Sequence, residues 1–107
     1  MSAHRQEQVS QLIAQLAGDF LERESNRKSL LTVTRADLSP NFKSIIIYFS
    51  VLPESEEKPA LDFAKRQRSA FREYLKKHSR LHPIPSIDFE LDFGEKNRQR
   101  LDELTRN

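Results

Sequence analysis

Apolar and polar positions along the chain follow two periods, and each change of period marks a new element. Val9, Leu12, Ile13, Leu16, Ala17 and Phe20 recur at spacings of three and four, which predicts an amphipathic helix over 5–23. The opposite face carries Gln8, Gln11, Gln15, Asp19 and Glu22. Gly18 falls on that polar side, where it costs about 1 kcal/mol relative to alanine without interrupting the apolar stripe. Ser25-Asn26-Arg27-Lys28-Ser29 is a polar break.

From Leu30 to Leu38 the period becomes two, with Leu31 and Val33 on one side and Thr32 and Thr34 on the other, the pattern of a strand. Ser39-Pro40-Asn41 signals a turn, since proline fixes φ and asparagine tolerates the left-handed region. A second strand over 42–52 contains Ile45-Ile46-Ile47-Tyr48-Phe49, apolar on both faces, which places it at the centre of a sheet. The short turn makes these two strands an antiparallel hairpin. An acidic connection over 53–59 follows, with Glu54, Glu56 and Glu57.

The stretch 61–85 reads as one helix, with Phe63, Ala64, Ala70, Phe71, Tyr74 and Leu75 on its apolar arc and Pro83 and Pro85 stopping it. Ile87, Phe89, Leu91 and Phe93 then alternate with Asp88, Glu90 and Asp92, a third strand with an acidic outer face. Gly94 closes it, and a final short helix carrying Leu101 and Leu104 is expected over 95–106. The order is that of an α+β domain.

Composition narrows the function classes. A chain of 107 residues suits one domain, here 1–107, with a modest core. Only 36% of residues are hydrophobic and 32% are charged, yet seven phenylalanines and the periodic runs argue against disorder. The absence of cysteine excludes disulfides, thiolate chemistry and the usual zinc frameworks. No apolar run approaches the ~20 residues that span a bilayer, and Met1-Ser2-Ala3-His4-Arg5 does not open a signal peptide. A cytoplasmic protein without membrane contact is expected.

A net charge of +2 is uninformative, but its distribution is not. Between Phe63 and His82, seven cations (Lys65, Arg66, Arg68, Arg72, Lys76, Lys77 and Arg80) face one acid, Glu73. On a single helix Lys65, Arg68, Arg72, Lys76 and Arg80 form a continuous stripe. A merely solvated helix face tends to mix signs, whereas a one-sign stripe suits a phosphate backbone. Arg35 and Lys43 of the hairpin are further candidates for the same surface.

Other chemistry is weakly supported. His78 and His82 have the i, i+4 spacing of a metal-binding helix but no third ligand, so they read as solvated histidines at a helix end. Asp88, Glu90 and Asp92 suggest a metal-dependent hydrolase only in outline, because no nucleophile with a base and no glycine-rich phosphate loop accompanies them. They read better as acids that keep a solvent-facing strand soluble, paired with Arg35 or Lys43. Their charge repels phosphate, which argues against RNA stacked on an open sheet.

Several segments together resemble one family. Residues from Val33 to Leu52, with Val33-Thr34, the Ser39-Pro40-Asn41 turn and Tyr48-Phe49-Ser50, are similar to the hairpin of ribosome-binding factor A. Phe71-Arg72-Glu73-Tyr74-Leu75 resembles that family's apolar–arginine–x–x–leucine helix, and Ile84 to Asp92 resembles its last strand. The resemblance implies a KH-like domain of the type II arrangement, α-β-β-α-β with a short C-terminal helix and a three-stranded sheet packed by helices. It further implies an assembly factor, without cofactor or catalysis, that binds the small ribosomal subunit and its 16S-type rRNA as a monomer. In that family an alanine–x–glycine step kinks the long helix. Gln67, Arg68 and Ser69 stand there in this chain, so both small positions differ. A straight helix keeps the stripe whole, whereas a bend divides Lys65 and Arg66 from Arg72 to Arg80. The rival reading is a protein-interaction module whose cations dock an acidic partner.

Overall fold

The computed structural model describes residues 3–24 and 28–94. Its elements are α1 (Ala3–Glu24), β1 (Leu30–Leu38), β2 (Ser44–Leu52), α2 (Glu57–Arg66), α3 (Arg68–His78) and β3 (Ser86–Leu91). A single 3-10 turn, Glu54–Glu56, leads into α2. The helix expected over 95–106 lies outside the described residues. The sheet order is β1-β2-β3, with β2 antiparallel to β1 and parallel to β3. The apolar run of β2 therefore does occupy the centre. Its parallel neighbour requires a long crossover, which α2 and α3 supply.

Ile45, Ile47, Phe49 and Val51 of β2 are all buried, and the register sets Ile47 beside both Ala36 and Phe89. One face of the sheet is thus covered by helices. On the other, Ile46 and Tyr48 are half-buried, and the Arg35 guanidinium lies 3.9 Å from the Tyr48 ring centroid. A bulge between Val33 and Arg35 shifts the register of β1. From α1, Val9, Ile13, Ala17, Phe20 and Leu21 enter the core, and the Gln6 side chain donates to the Leu38 carbonyl at the end of β1. Aromatic rings join the layers: Phe20 to Phe71 at 5.2 Å, Phe71 to Phe89 at 5.8 Å and Phe89 to Phe49 at 6.4 Å between centroids.

Several expectations need correction. Leu12 is exposed and Leu21 is fully buried, because the buried stripe of α1 turns toward Leu21 as the helix crosses the sheet. The acidic connection is shorter than expected: α2 begins at Glu57 and holds Pro59 in its first turn, where an N–H has no intrahelical partner to lose. Strand β2 starts at Ser44, since residues 39–43 form the turn. The left-handed residue of that turn is Phe42, at φ 62°, rather than Asn41. Asn41 instead accepts from the Ser39 hydroxyl at 2.7 Å and from the Lys43 N–H at 3.1 Å. Phe93 lies past the end of β3 and is exposed.

The segment expected to be one helix is two. Gln67 takes φ −90° and ψ 4°, and its N–H is shared between the carbonyls of Phe63 and Ala64 at 3.2 and 3.0 Å. A new helical ladder starts at once, from the Phe71 N–H to the Gln67 carbonyl at 2.8 Å. This break needs no glycine, because φ stays negative in a region open to any residue. The loss of the family's alanine and glycine therefore leaves the bend intact. Across the break the buried arc stays in phase, Phe71 lying seven residues after Ala64, while Ala70 falls outside it and is exposed. Helix α3 also ends earlier than Pro83. Ser79 is extended, and its hydroxyl donates to the Leu75 carbonyl at 2.7 Å.

Two consequences follow for stability. Phe71→Ala should cost about 3–5 kcal/mol in urea denaturation, the range for truncating a buried phenylalanine. A loss under about 1 kcal/mol would show that Phe71 does not join the layers. A Cβ added at Gly18 meets nothing within 4 Å, so Gly18→Ala should stabilise by about 0.5–1 kcal/mol and raise the thermal midpoint.

Candidate nucleic-acid interface

Burial of Ala60 and Ala64 seats α2 along the sheet edge beside β3, and this directs Lys65 toward the acidic strand. The Lys65 ammonium donates to Asp88 at 2.9 Å and to Glu90 at 2.8 Å. Arg68, just past the break, adds a 3.3 Å bond to the same Asp88 oxygen and donates through Nε to the Lys65 carbonyl at 2.9 Å. The acids of β3 were expected to face solvent or to pair with Arg35 or Lys43. Helix α2 meets Asp88 and Glu90 instead, while Asp92 remains in the field of Arg35. Asp92 accepts from the Thr34 hydroxyl and from the Gly94 N–H.

These contacts shift proton affinities in consistent directions. Lys65 is raised above its ordinary value by the hydrogen bonds to Glu90 and Asp88, against some desolvation. For Asp88, burial pushes upward, but Lys65, the Phe89 N–H and Arg68 together outweigh it, and the carboxyl is lowered. Asp92 is lowered by the Thr34 hydroxyl first and then by the Gly94 N–H.

The remaining cations are placed differently. Arg35 is paired with Asp37 across one strand face. Lys76 bonds Glu73 at 3.0 Å on the surface of α3, and Arg72 donates to the Ile84 carbonyl at 3.3 Å. Arg66, Lys77, Arg80 and Lys43 are exposed and make no ion pair among the described residues. The stripe drawn on a straight helix is therefore not one surface. Lys65 and Arg68 serve the β3 edge, while Arg72 and Arg80 meet Lys43 of the hairpin turn around a single cleft. Arg5 of α1, Phe42 and His82 line the same cleft. Sequence reasoning did not select these three, because they lie far apart in the chain and none belongs to a charge run.

His78 packs its ring against Tyr74, with centroids 4.1 Å apart, while His82 lies beyond the end of α3. Their i, i+4 spacing thus loses its helical meaning. Among the described residues no group of three or more His, Cys, Asp or Glu is gathered that would hold a metal ion, and no helix is long and apolar enough to cross a membrane.

An α-β-β-α-α-β chain on a mixed three-stranded sheet, with a break between its two crossover helices, is an α+β domain of the class that the sequence resemblance implies. The family model of ribosome-binding factor A matches residues 5–105. This chain belongs to the ribosome-binding factor A family. A relative of that name from Fervidobacterium nodosum is 30% identical over 78 residues, covering 72% of this chain and 62% of its own length. The chain thus spans under two thirds of that relative. The crystal structure of ribosome-binding factor A from Thermus thermophilus superimposes with a TM-score of 0.70 at 19% identity, covering 78% of this chain and 92% of its own. A homology model of the Thermus thermophilus factor, fitted into a cryo-EM map of a 30S complex, gives 0.66 at 23% identity, covering 78% and 94%. These structures share the fold.

The proton shifts set a pH dependence. A carboxyl lowered on folding contributes stability that is present above its unfolded value, about 3.9 for aspartate, and lost as pH falls through the folded value. Lys65, raised on folding, contributes stability that persists below about 10.4 and is lost as pH rises through its folded value. Asp88→Asn with Asp92→Asn should therefore flatten the loss of thermal stability below about pH 4. An unchanged acid limb in scanning calorimetry would show that these contacts do not form in solution.

Proposed function

We propose that this protein is a non-catalytic assembly factor that binds the small ribosomal subunit in the cytoplasm, as a monomer, by gripping the backbone of its 16S-type rRNA. Family membership supports the ribosome as partner, and a family relative has been fitted to a 30S complex map. The single observation that carries the RNA reading is the sorting of cations. Lys65 and Arg68 pair with Asp88 and Glu90 of β3 and Lys76 with Glu73, which leaves Arg66, Lys77, Arg80 and Lys43 exposed without ion pairs among the described residues. Unpaired lysine and arginine release counterions from a phosphate backbone at little desolvation cost. Paired cations would first have to give up a carboxylate. Arg66, Lys77, Arg80 and Lys43 are therefore the principal contacts, with Arg72 beside them. Lys65, Arg68, Lys76 and Arg35 contribute less than their place in the charge run suggests.

The charge-reversed pair Arg66→Glu with Lys77→Glu should reduce co-sedimentation with purified small subunits by about tenfold or more and lower the slope of log affinity against log salt. The thermal midpoint should hardly move, because both side chains are exposed and unpaired. Undiminished co-sedimentation would sink the reading. Ribonuclease treatment separates the rival class, since a protein partner would remain bound after the RNA is digested.

A further inference from the structure

The cleft around Lys43 and Arg80 differs from the other clefts of the surface. It measures about 680 Å³ and is lined by Arg5, Lys43, Arg72, Arg80 and His82 with no acidic residue. Three other clefts each include an acid: Glu56 in one, Asp19 and Glu22 in the second, Glu7 and Asp37 in the third. The cations come from α1, the hairpin turn, α3 and the loop after it, so folding alone assembles them. Among them lie Phe42, Leu81 and Pro83, which give the cleft an apolar wall as well. Its volume falls within the roughly 300–1,000 Å³ typical of small-ligand pockets.

The walls are built rather than incidental. The Ser39 hydroxyl accepts from the N–H groups of Lys43 and Ser44 at 3.1 and 3.0 Å, and Asn41 accepts from Lys43 as well. This network holds Phe42 at φ 62°, a left-handed conformation that a bulky residue rarely adopts. Across the cleft, the Arg72 bond to the Ile84 carbonyl ties α3 to the last loop, and the Ser79 hydroxyl accepts from the Leu81 N–H at 3.3 Å. A guanidinium carries several N–H donors, so Arg72 keeps others for a ligand.

We infer that this cleft receives one unpaired nucleotide of the bound RNA. Its phosphate sits among Arg5, Lys43 and Arg80, and its base lies against Phe42 and Pro83. The inference rests on the rRNA-binding reading and deepens it. A flat duplex backbone needs only the cations, and an acidic peptide would leave the aromatic wall unused. A splayed nucleotide uses both, in the manner of single-strand recognition by stacking and charge. Phe42 in a strained backbone conformation is then a positioning feature of the site.

Fluorescence anisotropy tests this with a labelled single-stranded hexauridylate and a blunt RNA duplex of twelve base pairs. The intact protein should bind the single strand more tightly than the duplex. Phe42→Asn, which suits the left-handed backbone, should weaken single-strand binding by about tenfold and leave the duplex nearly unchanged. Arg5→Ala with Arg80→Ala should weaken single-strand binding at least as much, with the thermal midpoint preserved. Uridine monophosphate should compete better than inorganic phosphate or hexaglutamate. Equal affinity for the two RNAs overturns the inference, as does wild-type binding by the cleft variants. Where those results appear while Arg66→Glu with Lys77→Glu loses RNA, the rRNA reading survives without the pocket. Equal competition by phosphate reduces the cleft to an anion site, and better competition by hexaglutamate assigns it to an acidic protein; either overturns the nucleotide. Absence of RNA binding by the intact protein removes both readings together.

Discussion

Phe71 is the residue on which the architecture depends. It is wholly buried, touches Phe20 of α1 on one side and Phe89 of β3 on the other, and so joins α3 to α1 and to the sheet edge. Because β3 runs parallel to β2, nothing but the crossover can deliver it to the sheet. The second crossover helix must therefore be anchored, and a large ring in contact with two other elements does this through area that shorter apolar side chains do not offer. Tyr74, one turn on, extends the contact to Phe20 and carries His78 on its outer face.

The break at Gln67 keeps the same packing face on both sides. Helix α2 must place Ala60 and Ala64 against the sheet, and α3 must place Phe71 and Leu75 there. These four recur at spacings of four, seven and four, the spacing of a single helical face, and Gln67 leaves the helical region without taking them off it. The charge distribution is a by-product with large effect. Once α2 is turned toward β3, Lys65 meets Asp88 and Glu90, and a strand face that would repel phosphate becomes locally balanced. Such half-exposed pairs add little stability, about 0–1 kcal/mol each. Their importance lies in which cations they remove from the solvent-facing set.

The same logic explains why the cleft is positive. The hairpin turn and the 79–85 loop approach one another at the end of α3, and each is closed by serine or asparagine side chains bonding to nearby backbone. These short polar caps occupy the positions where acids also serve as turn formers. With neutral residues there, the basic side chains of four segments face one another without an anion, at an unfavourable mutual repulsion that a phosphate relieves.

Among the described residues the amino-acid sequence by itself determined the types of the elements and their order, apart from the division of the long helix in two, because period three-to-four and period two are local signals written by which face is buried. It also determined that β2 lies at the centre, since only a central strand is apolar on both sides, and its hairpin and last-strand motifs pointed to the family. It left open whether Gln67, Arg68 and Ser69 bend, since a break at negative φ requires no special residue and leaves no mark in composition. It did not distinguish Lys65 and Arg68, which are ion-paired, from Arg66 and Lys77, which look equal to them along the chain. Only the tertiary structure decided which cations are neutralised and which converge, because ion pairing and cleft formation join residues as distant as Arg5 and Arg80. Linear spacing carries no information on such approaches; they are set by how α1, the hairpin and α3 pack around Phe71.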